Sequence, residues 1–285
     1  MRARPRRGFT LVELLIAIVV FGIVSASIFG LLTRSQRLSR AQADRAVMQG
    51  NIRAGLALVT SELRDVNISA TESDITSLSS TSITYRGMRS LGFICDKAAG
   101  YIRIARASFN GYRDPSTSRG DATLIFVDND VDQSTDDGWM NRAISSVAIE
   151  NCASGAAGIR LNFATNIPTS PDSLAMIQLG SPVRTYETMQ IGELVSGGQT
   201  WLGARSISAG ETTLQPVLGP LAPRGVAFAY RNVAGGLGAN ALSVRLVELT
   251  LTGITDQVVA AGAGTSAWAQ ATDQLVTTIR LRNAQ

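Results

Sequence analysis

The chain has 285 residues, of which 45% are hydrophobic and 17% are charged, and it contains no histidine. This length suits one large or two small domains with a sizeable core. The lack of histidine excludes serine–histidine–aspartate and cysteine–histidine catalysis, as well as histidine-ligated zinc or haem, so we do not expect an enzyme. The formal net charge is +4, and four arginines near the N-terminus, Arg2, Arg4, Arg6 and Arg7, account for this excess. The charge is therefore a weak argument for nucleic-acid binding.

The first element is an apolar run at residues 9–32, in which Glu13 is the only charged residue. As a helix it would be about 36 Å long, enough to cross a hydrocarbon core of about 30 Å. The four preceding arginines predict a cytoplasmic N-terminus, with everything after residue 32 outside. Arg34, Arg37 and Arg40 follow the span on that outer side and weaken the charge bias. We expect them to contact lipid headgroups or neighbouring subunits.

Three interpretations of this N-terminus compete. It is a secretory signal peptide cleaved near Ser25-Ala26-Ser27, or a plain single-pass anchor, or a more specialised signal. The third rests on the run RRGFTLVELL at residues 6–15, which resembles the class III signal of type IV prepilins and pseudopilins. The resemblance implies that a prepilin peptidase cuts between Gly8 and Phe9 and then N-methylates Phe9.

Glu13 favours the third interpretation. A carboxylate inside a spanning helix costs a few kcal/mol, which neither a signal peptide nor a simple anchor would use. The resemblance implies that Glu13 pairs with the Phe9 amine of an adjacent subunit and fixes the axial register of assembly. The alternative is a lone charge that reaches toward the cytoplasmic face.

Residues 33–66 predict a continuation of the helix with one apolar stripe that packs on a sheet. Gly50 and Gly55 are expected to weaken this helix. The stripe consists of Met48, Ile52, Leu56, Val59, Leu63 and Val66.

Beyond Asn67 the sequence is rich in serine, threonine and glycine and predicts β-structure. Val244 and Leu246 share one phase of alternation while Leu249 and Leu251 share the other, which predicts a bulge near Val247-Glu248. The runs at 225–231, 244–251 and 278–283 also resemble, more weakly, the closing strands of large minor pilins and J-type pseudopilins. Strands are predicted at 82–86, 122–127, 144–150, 158–163, 174–179, 183–189, 225–231, 243–252 and 275–282.

The two cysteines, Cys95 and Cys152, fit one disulfide if the domain lies outside the cytoplasm. Such a bridge would stabilise the fold by roughly 4 kcal/mol in the chain-entropy description. The alternative is two unpaired thiols in a core.

An acidic run at 128–138 predicts a possible calcium loop, with Asp128, Asp130, Asp132 and Asp136 as oxygen ligands. It is not an EF-hand, because Gln133 replaces the required glycine and Trp139 stands where the bidentate glutamate should be. The alternative is a solvated acidic turn, and no other cofactor is expected.

One stretch combines arginines with aromatic residues, the pattern of a single-stranded nucleic-acid site. An ordinary loop with scattered arginines is the stronger hypothesis, and we do not expect nucleic acid as a partner. The stretch contains Arg103, Arg106, Arg113 and Arg119 with Tyr101, Phe109 and Tyr112.

Taken together, the sequence predicts an α+β, pilin-like subunit: a leader at 1–8, a transmembrane helix at 9–32, its amphipathic continuation at 33–66 and a β-rich domain at 67–285. The resemblance implies a minor pilin that initiates, caps or decorates a type IV pilus, anchored in the inner membrane with a periplasmic domain before it joins the filament. Its expected partners are other pilins or pseudopilins, the prepilin peptidase and an inner-membrane assembly platform. The alternatives are a J-like pseudopilin of type II secretion and a membrane-tethered binding domain with a pilin-like leader.

Overall fold

A computed structural model describes residues 10–68, 72–128, 132, 137–168, 174–238, 240–260, 268–281 and 283–284. Helix α1 (Leu11–Leu63) is followed by a domain built from antiparallel β-strands, which confirms the predicted α+β class. The chain divides into two compact units. One comprises Met1–Gln49 and Thr255–Ala271, and the other comprises Gly50–Ile254 and Thr272–Gln285.

The strands lie along the chain as follows: β1 (Asn67–Ile68), β2 (Ile75–Leu78), β3 (Ser82–Ala98), β4 (Tyr101–Ala105), β5 (Asn110–Gly111), β6 (Ala122–Val127), β7 (Gly138–Ile149), β8 (Gly158–Phe163), β9 (Pro182–Ser196), β10 (Gln199–Ser206), β11 (Gln215–Arg231), β12 (Leu246–Ile254), β13 (Val259–Ala260), β14 (Trp268–Ala269), β15 (Thr272–Arg280) and β16 (Asn283–Ala284).

Six of these strands pair in a closed cycle. β9 pairs with β3, β3 with β4, β4 with β8, β8 with β7, β7 with β6, and β6 again with β9, all antiparallel. A sheet that returns to its first strand has no edge within the cycle, as in a small barrel. The side chains of this cycle and its loops form a buried cluster of Ile94, Ile102, Ile104, Ile125, Ile144, Ile159, Leu161, Phe163, Ile167, Ile177 and Val183.

The same sheet continues from β9 through β10, β11 and β12 to β15. The last part of α1 packs on this extension. A Cβ atom at Gly55 would lie 2.8 Å from Leu251 Cδ1, so the helix and strand β12 approach closely at this residue. Asn51 Nδ2 donates a hydrogen bond of 3.0 Å to the Gly219 carbonyl on β11. Gly55 is therefore a packing position and not only a weak point of the helix.

The predicted apolar stripe agrees with the burial along α1. Within the second unit, Ile52, Val59 and Leu63 are fully buried and Leu56 is partly buried. The helix ends at Leu63, three residues before the predicted boundary, and Val66 is buried just beyond it.

The strand predictions are partly wrong. Residues 122–127 and 158–163 form β6 and β8 as predicted, and most other predicted strands are longer in the structure. The prediction at 174–179 is wrong, because these residues form a turn. Their apolar character has another cause: Ile177 belongs to the buried cluster of the closed cycle. The sequence does not predict strands β2, β4 and β10, nor the two-residue strands β1, β5, β13, β14 and β16.

The predicted bulge near Val247-Glu248 is also wrong. β12 begins at Leu246 and pairs with β15 without a register shift. Val244 precedes the strand, so it does not have to follow the same alternation of side chains as Leu249 and Leu251, and no bulge is needed.

Candidate functional site

The N-terminal end of α1 carries a reciprocal hydrogen-bond motif between Thr10 and Glu13. The backbone N–H and the hydroxyl of Thr10 donate to Glu13 Oε2 at 2.9 and 3.0 Å. The Glu13 N–H donates in return to Thr10 Oγ1 at 3.3 Å. This is a capping box, which satisfies backbone donors at the helix start. The T-x-x-E spacing of Thr10 and Glu13 is the sequence signal that predicts such a cap.

The helix beyond this cap presents an apolar surface. From Leu11 to Leu32 its large aliphatic and aromatic side chains are exposed, including Leu11 at 81% and Phe21 at 73%. The most apolar window of α1 is long enough to cross a membrane, and none of it is buried within the protein. A buried core helix would also be apolar, but its surface would be covered. The helix therefore supports membrane anchoring.

Gly8 and Phe9, the predicted processing residues, lie outside the described residues. Cleavage between them and methylation of Phe9 stay predictions.

The described part of the acidic run at 128–138 provides little evidence on the predicted calcium ligands. Asp128 and Asp132 are described, whereas Asp130 and Asp136 lie outside the described residues. Among the described residues, no three histidine, cysteine, aspartate or glutamate side chains form a group that could hold a metal ion. Calcium binding by this run stays a prediction.

The arginines of the basic and aromatic stretch all form ion pairs with carboxylates of the same chain. Arg103 pairs with Asp96 and Glu150, and its guanidinium also lies over the Tyr101 ring. The remaining pairs are Arg106 with Asp114, Arg113 with Asp121, and Arg119 with Glu211. Because these positive charges already have negative partners, the stretch does not form a continuous basic surface.

A buried ion-pair network links α1 to the sheet, and sequence reasoning missed it. Arg89 on β3 donates through Nε to Glu187 Oε2 on β9 at 3.0 Å and through Nη1 to Glu62 Oε2 on α1 at 3.2 Å. The Tyr85 hydroxyl donates to the same Glu62 oxygen at 2.9 Å. Arg113 Nη2 donates to Glu187 Oε2 at 3.2 Å. The network thus joins one helix, two strands and a loop.

Two groups of this network, Arg89 and Glu187, are held in their charged forms, and Tyr85 is held in its neutral form. Burial would raise the pKa of Glu187, but hydrogen bonds from Ser206, Arg89 and Arg113 outweigh burial and hold that pKa below its usual value. Burial would lower the pKa of Arg89, yet the charge of Glu62 and the bonds to Glu187 and Glu62 raise it. Burial, followed by the nearby charge of Glu62, raises the pKa of Tyr85 well above its usual value, so it remains a neutral donor.

A cleft of about 420 Å³ opens beside the network. Its charged lining groups other than Arg205 pair with one another, as Arg119 does with Glu211 at 3.6 Å. This arrangement holds segments of the fold together: the Ser206 hydroxyl in the lining donates to Glu187 Oε1, and Arg89 and Arg113 donate to the other oxygen of the same carboxylate.

A disulfide joins Cys95 on β3 to Cys152 in the connection between β7 and β8. The two cysteines are 57 residues apart in the sequence, and their disulfide connects two parts of the closed cycle of strands. The bridge agrees with the pairing expected from the cysteine count and with an oxidising compartment for the domain.

An exposed apolar helix with an acidic residue in its first turn, followed by a disulfide-bonded β-domain, supports the class of membrane-anchored proteins. A family model described as the prokaryotic N-terminal methylation motif matches residues 3–29, which agrees with the resemblance to the type IV prepilin signal. This motif is typical of type IV pilins and pseudopilins, whose members are generally structural proteins. A comparison with curated proteins gives no match, and neither does one with solved structures.

Proposed function

We propose that this chain is a minor pilin, a structural subunit that initiates, caps or decorates a type IV pilus. One observation carries the proposal: Glu13 lies in the first turn of an exposed apolar helix, within the matched methylation motif. Its carboxylate is hydrogen-bonded by Thr10 through Oε2. A carboxylate among lipid-facing residues is costly without a cationic partner, and the methylated amine of another subunit would supply one.

In this proposal the chain has four parts. Residues 1–8 are a leader that the prepilin peptidase removes after Gly8, and residues 9–32 cross the inner membrane. Residues 33–66 continue the helix, and residues 67–285 form a periplasmic domain that later lies on the filament surface. The subunit acts through contacts with other pilins and with the membrane assembly platform.

The first experiment measures the mass of the N-terminal peptide of the mature protein. We expect N-methyl-Phe9 as the first residue of the purified chain. A mature terminus at Ile28 would identify a secretory signal peptide, and an uncut Met1 would identify a plain anchor. Either result would contradict the proposal.

Two substitutions of Glu13 separate its role in the helix cap from its role in assembly. Glu13→Ala removes both the acceptor for Thr10 and the charge, whereas Glu13→Gln keeps an acceptor that suits a capping box and removes only the charge. Both variants should insert and be cleaved normally, and both should be depleted from sheared filaments. If Glu13→Gln is incorporated normally, the charge is not the feature that matters.

A pseudopilin role is the closest alternative. Its support is the large β-domain, whose last long strands β11, β12 and β15 form a continuous antiparallel sheet. Two results together would assign the subunit to a secretion system instead of a pilus. They are its absence from sheared filaments and the loss of protease or lipase export in a deletion strain.

A further inference from the structure

The part of α1 that follows the apolar segment carries an uneven distribution of charge. From Leu14 to Leu32 the helix has no charged residue. From Thr33 to Gln49 it has four arginines, Arg34, Arg37, Arg40 and Arg45, against a single acid, Asp44. All four arginines are exposed. The helix passes through this change without a break, so the depth of each side chain follows from its position in the sequence.

The helical rise places three of these arginines at the level of lipid headgroups. At 1.5 Å per residue, the segment from Leu11 to Leu32 is about 33 Å long, close to the thickness of a hydrocarbon core of about 30 Å. The headgroup layer adds about 5–7 Å on each side. The Cα atoms of Arg34, Arg37 and Arg40 then lie about 3, 8 and 12 Å beyond Leu32.

The direction of helical side chains brings these three groups closer to the membrane. Side chains in an α-helix lean toward its N-terminus, which here is the side of the apolar segment. A long arginine side chain at each of the three positions can therefore reach the phosphate layer. Arg45 begins about 20 Å beyond Leu32 and lies outside that reach.

The chemistry of the three groups fits phosphate. Guanidinium groups bind phosphate oxygens through paired hydrogen bonds and keep their charge at every physiological pH. At about 100° per residue, Arg34, Arg37 and Arg40 spread over roughly 120° of the helix circumference. All three groups lie at the depth of the phosphate layer, so their position along the helix favours lipid phosphate over a carboxylate of another subunit.

We propose that Arg34, Arg37 and Arg40 form a collar that binds the phosphate groups of anionic phospholipids at the outer end of the span. The proposal rests on the membrane span of the proposed function, but not on assembly into a filament. The collar fixes the depth of the subunit in the bilayer before assembly and must release its lipids when the subunit leaves the membrane.

The test measures lipid selectivity of the full chain in phosphatidylcholine bilayers by electron paramagnetic resonance. Spin-labelled phosphatidylglycerol and spin-labelled phosphatidylcholine serve as the probes. The wild-type chain should hold phosphatidylglycerol several-fold more strongly than phosphatidylcholine, and high salt should reduce this preference. The variant Arg34→Gln/Arg37→Gln/Arg40→Gln should prefer phosphatidylglycerol several-fold less than the wild type, and any preference that remains belongs to the four arginines at the opposite end of the span.

A second triple variant, Arg53→Gln/Arg64→Gln/Arg280→Gln, removes the same charge from exposed arginines farther along the chain. It should keep the wild-type selectivity. Equal binding of the two lipids by the wild-type chain would overturn the proposal, and so would unchanged selectivity in the collar variant. If the collar variant keeps the wild-type lipid selectivity but is no longer incorporated into filaments, the three arginines bind carboxylates of another subunit instead of lipid.

The outcome is independent of the test of the proposed function. Lipid selectivity is measured on a single subunit in a bilayer, whereas the mature N-terminus and incorporation into filaments report on processing and assembly.

Discussion

Replacement of Arg89 by methionine should destabilise the fold strongly, because it leaves a buried carboxylate without its closest cation. The side chain of Arg89 is 10% exposed and that of Glu187 only 5%, and they are joined at 3.0 Å. Removal of one partner of a buried pair costs about 3–5 kcal/mol. Methionine keeps most of the aliphatic volume of arginine, so the effect should come from the lost positive charge, which leaves Arg113 as the nearest cation of Glu187, and not from a cavity.

The chain offers a matched control. Arg231 and Glu248 are also joined at 3.0 Å, but their side chains are 37% and 29% exposed. An ion pair in contact with water contributes about 0–1 kcal/mol, so Arg231→Met should cost little. The ion pairs that the two variants remove have the same length of 3.0 Å and differ in their burial.

The assay is urea unfolding of the full chain in detergent, followed by tryptophan fluorescence. Arg89→Met should shift the midpoint to clearly lower urea than Arg231→Met. The double variant Arg89→Met/Glu187→Met should cost less than the sum of its two single variants, because it removes both charges. Equal midpoints for Arg89→Met and Arg231→Met would refute the reasoning, as would strict additivity in the double variant.

Two further predictions concern the β-domain. The double variant Cys95→Ser/Cys152→Ser, or reduction of the wild-type chain, should lower the free energy of unfolding by about 4 kcal/mol, since the bridge closes a loop of 57 residues. Reductant should not change the urea midpoint of the double variant, and an unchanged wild-type midpoint would contradict the prediction. Because the folded pKa of Glu187 lies below its usual 4.5, its stabilisation is complete above that pH and is lost as pH falls through the folded pKa. Glu187→Gln should therefore be less stable than wild type at neutral pH but lose less stability below pH 4.5 in thermal unfolding, and parallel profiles would contradict this.

The features that the sequence predicted are those encoded by neighbouring residues. The apolar run, its charged flanks and the i, i+4 stripe through Ile52, Leu56 and Leu63 are patterns within one helix, so the helix and its buried face could be derived. The same holds for β6 and β8, which are short strands with the bounds that the sequence predicts.

The features that the sequence did not predict depend on residues far apart in the chain. Closure of the cycle requires β9 to pair with β3 and β6, and no local pattern encodes that choice. The partners of Arg89 are Glu62 and Glu187, which are 27 and 98 residues away. A short strand such as β4 resembles an arginine-containing loop until its pairing with β3 and β8 is known.

The bond between Glu62 and Arg89 has a mechanical consequence. Glu62 lies one residue before the end of α1, and Arg89 lies on β3, which forms a long antiparallel ladder with β9. Tension along the helix axis would reach the domain through this side-chain contact as well as through the peptide chain at Arg64 and Asp65. The contact would pass part of this load directly to β3, whose pairing with β9 runs from Ser82 to Phe93.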